Sequence, residues 1–421
     1  MTTAPQQMGL GEVLKLKPVR TLWLAQIISV FGDMLVLFAV LSVASFRFHA
    51  TPAQITFISI AFMIPFALVG PLAGVFVDRW NVKRTMIISD VIRALLAFSL
   101  IFTTSLNQVY GILFLLSLVS TFFMPAQTVT LRTIVPREGL MAANALMQQA
   151  FQIVRIVSPV AAGALLAWFD KQFGENVGAR VCYGFDSVSF LVSATLVATI
   201  LIRRETGTET KPSSVKSVLS DLAAGIKFVA THPIISFVLL AMGAGMFAIS
   251  CFGPLIAVYV RDILHADEVV FGIINSMIGV GMIFGTLGLN KFTQGRSKNH
   301  LPLFGLLTMG AFVCLMAFFN SITMTAVAMF GVGIGAVLIF VSAQTMMQGH
   351  TPMEMMGRVS SSVMAVISIS QLIGLAFSGS LAQAVGIRTM FFVTAIFLAV
   401  IAGVGYFFLP KPTAAQAGAT P

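Results

Sequence analysis

The sequence predicts an all-α membrane protein whose twelve spanning helices form two pseudo-symmetric six-helix bundles. Three observations predict it. The 421 residues are 57% hydrophobic and only 10% charged, with a mean hydropathy of +0.96. A soluble domain has about 25% charged residues, so lipid must solvate most of this chain. The apolar residues come in long runs, and crossing a hydrocarbon layer about 30 Å thick takes about 20 residues at about 1.5 Å each. Barrel strands would alternate apolar and polar residues; these runs do not, which leaves helices as the structure that satisfies its own backbone in lipid. Finally, the longest polar stretch, Arg203 to His232, has six runs before it and six after.

The runs cover about 20–46, 53–77, 84–104, 109–131, 141–169 and 180–202, then 234–260, 269–290, 301–319, 322–348, 357–384 and 387–409. The first is too long for a cleavable signal and lacks a small-residue cleavage site; Lys15, Lys17 and Arg20 form its basic flank. The expected organisation is a tail (1–19), a bundle (20–203), a linker (204–233), a second bundle (234–410) and a tail (411–421). The linker opens with RRETGTETKPSS, a flexible composition. Val218, Leu219, Leu222, Ile226 and Val229 then recur at helical spacing, which predicts an amphipathic helix along the membrane surface. The halves share a register of 216 residues, which relates Pro136 to Pro352, Glu138 to Glu354 and Gly163 to Gly379. The glycine-flanked basic turn Phe284–Asn299 is the counterpart of the turn after the second run. A duplicated six-helix unit is a usual build of secondary transporters.

Charge sets the topology. With the N-terminus inside, both tails and the even-numbered connections hold 18 of the 25 basic residues, and the odd-numbered connections hold five: Arg47, Lys171, Arg180, Arg261 and Arg388. This is the positive-inside bias. It predicts both termini in the cytoplasm and accounts for the formal net charge of +10 without a nucleic-acid partner. Trp23, Trp80 and Trp168 fall near helix ends, where indole rings favour the headgroup level. Cys182, Cys251 and Cys314 lack paired spacing and read as core residues.

The densest charge lies in GVFVDRWNVKRTMI, Gly74 to Ile87. Gly70 and Gly74 share one helix face and suit close helix approach. Asp78 follows at the boundary, able to accept from a helix N-terminus, and Arg79, Lys83 and Arg84 hold the turn at the inner surface. The arrangement suits a gate. It resembles the loop motif of the major facilitator superfamily, Gly-x-x-x-Asp-Arg followed by basic residues, with Asn81 and Val82 standing where the family usually has glycine and a basic residue. The segments GPLAGVFVDRWNVKRTMIISDVIRALL, VPREGLMAANALMQQ, SPVAAGALL and FDSVSFLVSA are similar to bacterial drug:proton antiporters of the macrolide-efflux and enterobactin-exporter kind. That resemblance implies alternating access, export of an amphipathic small molecule in exchange for protons, and a cavity lined by the first, fourth, seventh and tenth spans.

Charges inside spans are costly and functional by default. Here they fall in the first half alone: Asp33, Asp90, Arg93, Arg155 and Asp186. Gln26, Ser29 and Asp33 share a face of the first span at mid-depth, and Asp33 is the leading proton-coupling candidate, with Arg155 and Asp186 beside it. Asn144, Gln148, Gln152 and Arg155 form a polar stripe in the fifth span, and Arg155 requires an acid, Asp33 or Asp186, or a wet cavity. Asp90 and Arg93 are read as support for the charged turn. Val154, Ser158, Pro159, Ala162 and Gly163 occupy the positions of the antiporter motif Gly-x-x-x-Gly-Pro-x-x-Gly-Gly, which only Pro159 and Gly163 match strictly. The fourth span carries no charge, so the family's basic motif there is missing.

Cavity candidates are Gln26, Ser29, Phe122, Phe123, Gln127, Gln152, Phe252, Tyr259, Phe340 and Gln344, with Phe247 and Met347 near them. Gly253–Pro254 predicts a kink, and GVGIGA at 331–336 a glycine-packed helix. The sequence has no phosphate loop, metal-ligand spacing or nucleophile triad. The expectation is a monomeric, cofactor-free carrier in the bacterial cytoplasmic membrane, powered by the proton gradient, with an amphipathic substrate and membrane lipids as partners. A lysophospholipid transporter of the same fold, with which FGDMLVLFA at 31–39 is compatible, and a non-transporting receptor or scaffold are the alternatives.

Overall fold

A computed structural model describes residues 8–77, 79–201, 224–225, 227–229, 231–292, 300–352 and 355–408. Asp78, Glu354, residues 1–7 of the N-terminal tail, the whole C-terminal tail and most of the linker with its expected amphipathic helix lie outside the described residues. The described residues are helical and contain no strand. Among the described residues, eleven helices are long and apolar enough to cross a membrane.

After a lead-in turn, Leu10–Lys15, the first span is Lys17–Ser42. The second comes in two pieces, Pro52–Leu68 and Gly70–Val77. The third to sixth are Val82–Ser99, Leu106–Ile134, Leu140–Phe173 and Val177–Thr199. The seventh is again divided, Pro233–Phe252 and Leu255–Asp262, and the break falls at Gly253–Pro254. The eighth to twelfth are Glu268–Phe292, Leu301–Phe318, Ile322–His350, Met356–Val385 and Ile387–Phe408.

Local chemistry sets several helix starts. Thr51 caps the second span in a capping box with Gln54. Asn81 accepts from Arg84 N at 3.1 Å and caps the third. Asp267 accepts from Val270 N at 3.0 Å at the start of the eighth. The duplication shows in the same places: Lys17 and Pro233, Pro52 and Glu268, Leu106 and Ile322, Leu140 and Met356 all open helices, each pair 216 residues apart. His49 (φ 46°) and His265 (φ 50°) stand at the same register, a left-handed turn built twice.

Packing divides the chain into two units. One holds Met1–Val218 and Ala257–Ser276, the other Leu219–Ile256 and Met277–Pro421. Most of the second piece of the seventh span, with the start of the eighth, falls in the first of these units. In the first unit, the first span packs on the fifth and sixth, and the third on the fourth and sixth. Val19, Leu22, Met86, Phe123, Ala126 and Val197 are among its buried core residues. Phe271 stacks on Phe38 with ring centroids 4.4 Å apart. Arg261 donates to the carbonyls of Ser45 and Ala50. In the second unit, the ninth span packs on the tenth and twelfth. The 331–336 segment is glycine-packed: Gly335 leaves room for the backbone of Met309, whose amide N lies 2.9 Å from where a Cβ would be.

Candidate functional site

Four of the five intramembrane charges of the first half come together, three acids around one guanidinium. Arg93, on the third span, pairs with Asp90 one turn before it and stands 3.9 Å from Asp33 on the first span. Its side chain is 4% exposed and that of Asp90 0%, while Asp33 keeps 19%. Phe123 of the fourth span and Phe190 of the sixth hold the guanidinium between their rings, each centroid 4.3 Å from Cζ. A desolvated cation over an aromatic face gains about 2 kcal/mol.

Asp186 completes the cluster from the sixth span. It is fully buried, accepts from Ser189 Oγ at 3.3 Å and is near enough to Asp33 and Arg93 to feel both charges. Gly32 permits this approach. A Cβ on it would stand 2.5 Å from Ser189 Oγ and 3.0 Å from Asp186 Cα, so the first and sixth spans meet here without a side chain between them. Three carboxyls surround one guanidinium, so full ionisation would leave this cluster a net charge of −2. Asp90 Oδ2 and Asp186 Oδ2 are buried without a hydrogen-bond partner among the described residues.

This geometry reassigns two residues and one partnership. Asp90 and Arg93, attributed from sequence to the charged turn, belong instead to the acid cluster, because the third span carries them inward from its capped start. The cation beside Asp33 is Arg93, not Arg155. Arg155 is exposed and makes no ion pair among the described residues. Gln152 beside it is exposed as well, and Asn144 spends its amide on Leu140 O of its own helix, at 2.9 Å.

The charged turn has a different construction from the one its glycines suggest. Among the described residues nothing lies within 4 Å of where a Cβ on Gly74 would stand, and a Cβ on Gly70 would meet Thr121 Cγ2 at 3.9 Å, an ordinary contact, so neither glycine is required by a close helix approach. Lys83 does the fastening. Its Nζ donates to Ala198 O at 2.6 Å and Ile200 O at 2.8 Å, the orphan carbonyls at the end of the sixth span, where a cation also complements the helix dipole. Arg79 and Arg84 are exposed. Asn81, a departure from the family motif, is the N-cap of the third span.

The cavity candidates separate into three sets. Gln127 donates to Gln26, linking the fourth span to the first beside buried Ser29. Gln344 is exposed and Phe340 half-buried. Phe123, Phe252 and Tyr259 are 4%, 0% and 0% exposed, so their rings have no free face for a ligand in this structure. They are packing residues: aromatic composition alone does not tell a core ring from a lining one. Phe122 faces away from the acid cluster's aromatic clamp and packs on Trp80, centroids 5.6 Å apart.

Sequence reading passed over a second ionic group at the end of the first span. Arg47 pairs with Asp170, donates to Asn176 Oδ1 at 2.7 Å and lies 3.9 Å from Glu268. The repeated His-Ala pairs at 49–50 and 265–266, each followed by a helix cap, were the available signal for these matched turns.

The chain matches the Major Facilitator Superfamily over residues 22–361 and again over 238–421. The chain belongs to that superfamily. Among relatives, the uncharacterized MFS-type transporter YfiS of Bacillus subtilis (strain 168) is 26% identical over 91% of each chain. The multidrug efflux pump Tap of Mycolicibacterium fortuitum is 24% identical over 84% of this chain and 86% of its own. The lysophospholipid transporter LplT of Photorhabdus laumondii subsp. laumondii is 22% identical over 80% and 81%. A bacterial homologue of the human lysosomal transporter Spinster superposes with a TM-score of 0.76 at 14% identity, covering 94% of this chain and 98% of that one. This MFS protein is thus a multi-pass membrane transporter and not an enzyme.

Proposed function

We propose that this MFS transporter exports amphipathic small molecules from bacterial cytoplasm by alternating access, in exchange for protons. The observation that carries the reading is the cluster of Asp33, Asp90 and Asp186 around Arg93, with two buried carboxyl oxygens unpartnered among the described residues. Charges buried in spans mark ion and proton pathways. Asp33, the most open of the three acids that share Arg93, is the exchange point; Asp90 and Asp186 hold the compensating charge. Moving one charge through about 100 mV supplies about 2.3 kcal/mol, before any pH gradient. Efflux relatives such as Tap favour a drug-like cargo, and the LplT relationship keeps a single-chain lipid as the second reading.

Proteoliposomes with an imposed pH gradient, loaded in turn with cationic dyes, macrolides, siderophores and lysophospholipids, test both. Export should follow the gradient, and Asp33→Asn should abolish gradient-driven export while leaving equilibrium substrate binding intact. Unchanged export by Asp33→Asn would reject the assignment of the exchange point. Export indifferent to the gradient, with lysophospholipid as the sole cargo, would select the lipid reading.

A further inference from the structure

A groove of about 490 Å3 opens between the third and fourth spans, with Trp80, Asn81, Arg84, Ile88, Ile92 and Val119 in its lining. Its walls are largely apolar, and among the described residues its only charged lining residue is Arg84 at the helix start. Arg84 is exposed and makes no ion pair among the described residues, and Arg79 beside the same turn is likewise exposed and unpaired among them. Trp80, Ile88 and Ile92 are 47%, 56% and 39% exposed. The groove is therefore an apolar slot on the outer face of a spanning bundle, with a cation at its mouth.

Its dimensions match one leaflet. From Arg84 to Ile92 the third span rises about 12 Å at about 1.5 Å per residue, against about 15 Å for half the hydrocarbon layer. The mouth lies where Asn81 caps the helix and Trp80 sits, the level at which indoles meet headgroups. A ligand for this slot needs an acyl chain for the apolar walls and an anionic head for Arg84. We infer that the groove holds one anionic glycerophospholipid from the leaflet on the side of the charged turn, its phosphate on Arg84 and an acyl chain along Ile88, Ile92 and Val119. Basic pockets between spanning helices bind anionic headgroups by this charge complementarity. This lipid is a resident, not cargo: its seat is separate from the acid cluster, and its presence does not depend on what the transporter exports.

The test uses the full-length protein delipidated in a neutral detergent. Native mass spectrometry and thermal unfolding are recorded with added phosphatidylglycerol, phosphatidylethanolamine or inorganic phosphate. The wild-type chain should retain one phosphatidylglycerol in preference to phosphatidylethanolamine and should unfold at a higher temperature with it. Arg84→Gln, a change at an exposed side chain, should weaken retention about five-fold, the worth of one basic residue near an anionic surface. Ile88→Trp, also at an exposed position, should block the slot and lower retention while the Arg84 charge remains; Arg180→Gln, at a distant exposed arginine, should change nothing. Equal retention of both lipids, stabilisation by inorganic phosphate alone, a lipid-free dimer in place of the lipid adduct, or undiminished retention by Arg84→Gln and Ile88→Trp would each overturn the proposal.

Discussion

Arg93→Met tests whether the guanidinium holds the acid cluster together. Arg93 is 4% exposed and Asp90 0%. Removing one partner of such a pair leaves a buried charge without compensation and costs about 3–5 kcal/mol. The two flanking rings at 4.3 Å lose their cation in the same step, which places the expected loss toward the upper end. Asp33, 3.9 Å away and 19% exposed, adds less because water reaches it. Asp90→Asn alone leaves Arg93 with Asp33 and should cost about 1–3 kcal/mol, the range for an unmatched buried polar group. Replacing both removes the orphaned charge, so the double variant should cost less than the two singles together, by about 1.5 kcal/mol or more within the coupling range of contacting pairs. Equilibrium unfolding in mixed micelles, followed by helical circular dichroism, reads all three. Additivity within about 0.5 kcal/mol, the behaviour of independent sites, would refute the shared-cation arrangement.

Three other substitutions separate packing from gating. Gly32→Ala places a methyl against Ser189 Oγ and the Asp186 backbone and should destabilise by about 1–3 kcal/mol, as overpacking does; Gly74→Ala meets open space and should unfold like the wild type, so a parallel loss in both would contradict the packing described. Lys83→Met frees the carbonyls of Ala198 and Ile200 and should lower stability by about 1–2 kcal/mol, the scale of a partly exposed charged hydrogen bond; an unchanged unfolding curve would remove Lys83 from the fold's fastenings.

The spans were legible because lipid imposes one rule on every residue it touches, and apolar length alone reveals obedience to it. The break at Gly253–Pro254 was legible for the same local reason: neither residue favours a helix interior. The site was half legible. Each acid declared itself by standing in an apolar run, since that cost must be met somewhere. Which cation met it was not, because Asp33 and Arg93 are 60 residues apart and no periodicity relates the rotation of one helix to that of another. Gly32 decided that rotation by letting the sixth span close on the first, yet in sequence it is one small residue among 35 glycines. Phe123 and Phe190 illustrate the same limit: a ring that clamps a guanidinium and a ring that faces lipid are the same letter. Asn81 shows the opposite case, where a mismatch to a family motif is explained by a hydrogen bond two atoms of side chain can make.

The register of 216 that pairs the helix starts carries Asp33 onto Ile249. Two copies of one scaffold thus tolerate a carboxyl and a branched hydrocarbon at the same station, which means the frame was never built around the acid. Titratable chemistry is a tenant of one copy, and the vacant lot at 249 is where a second such group could be installed without redrawing the architecture.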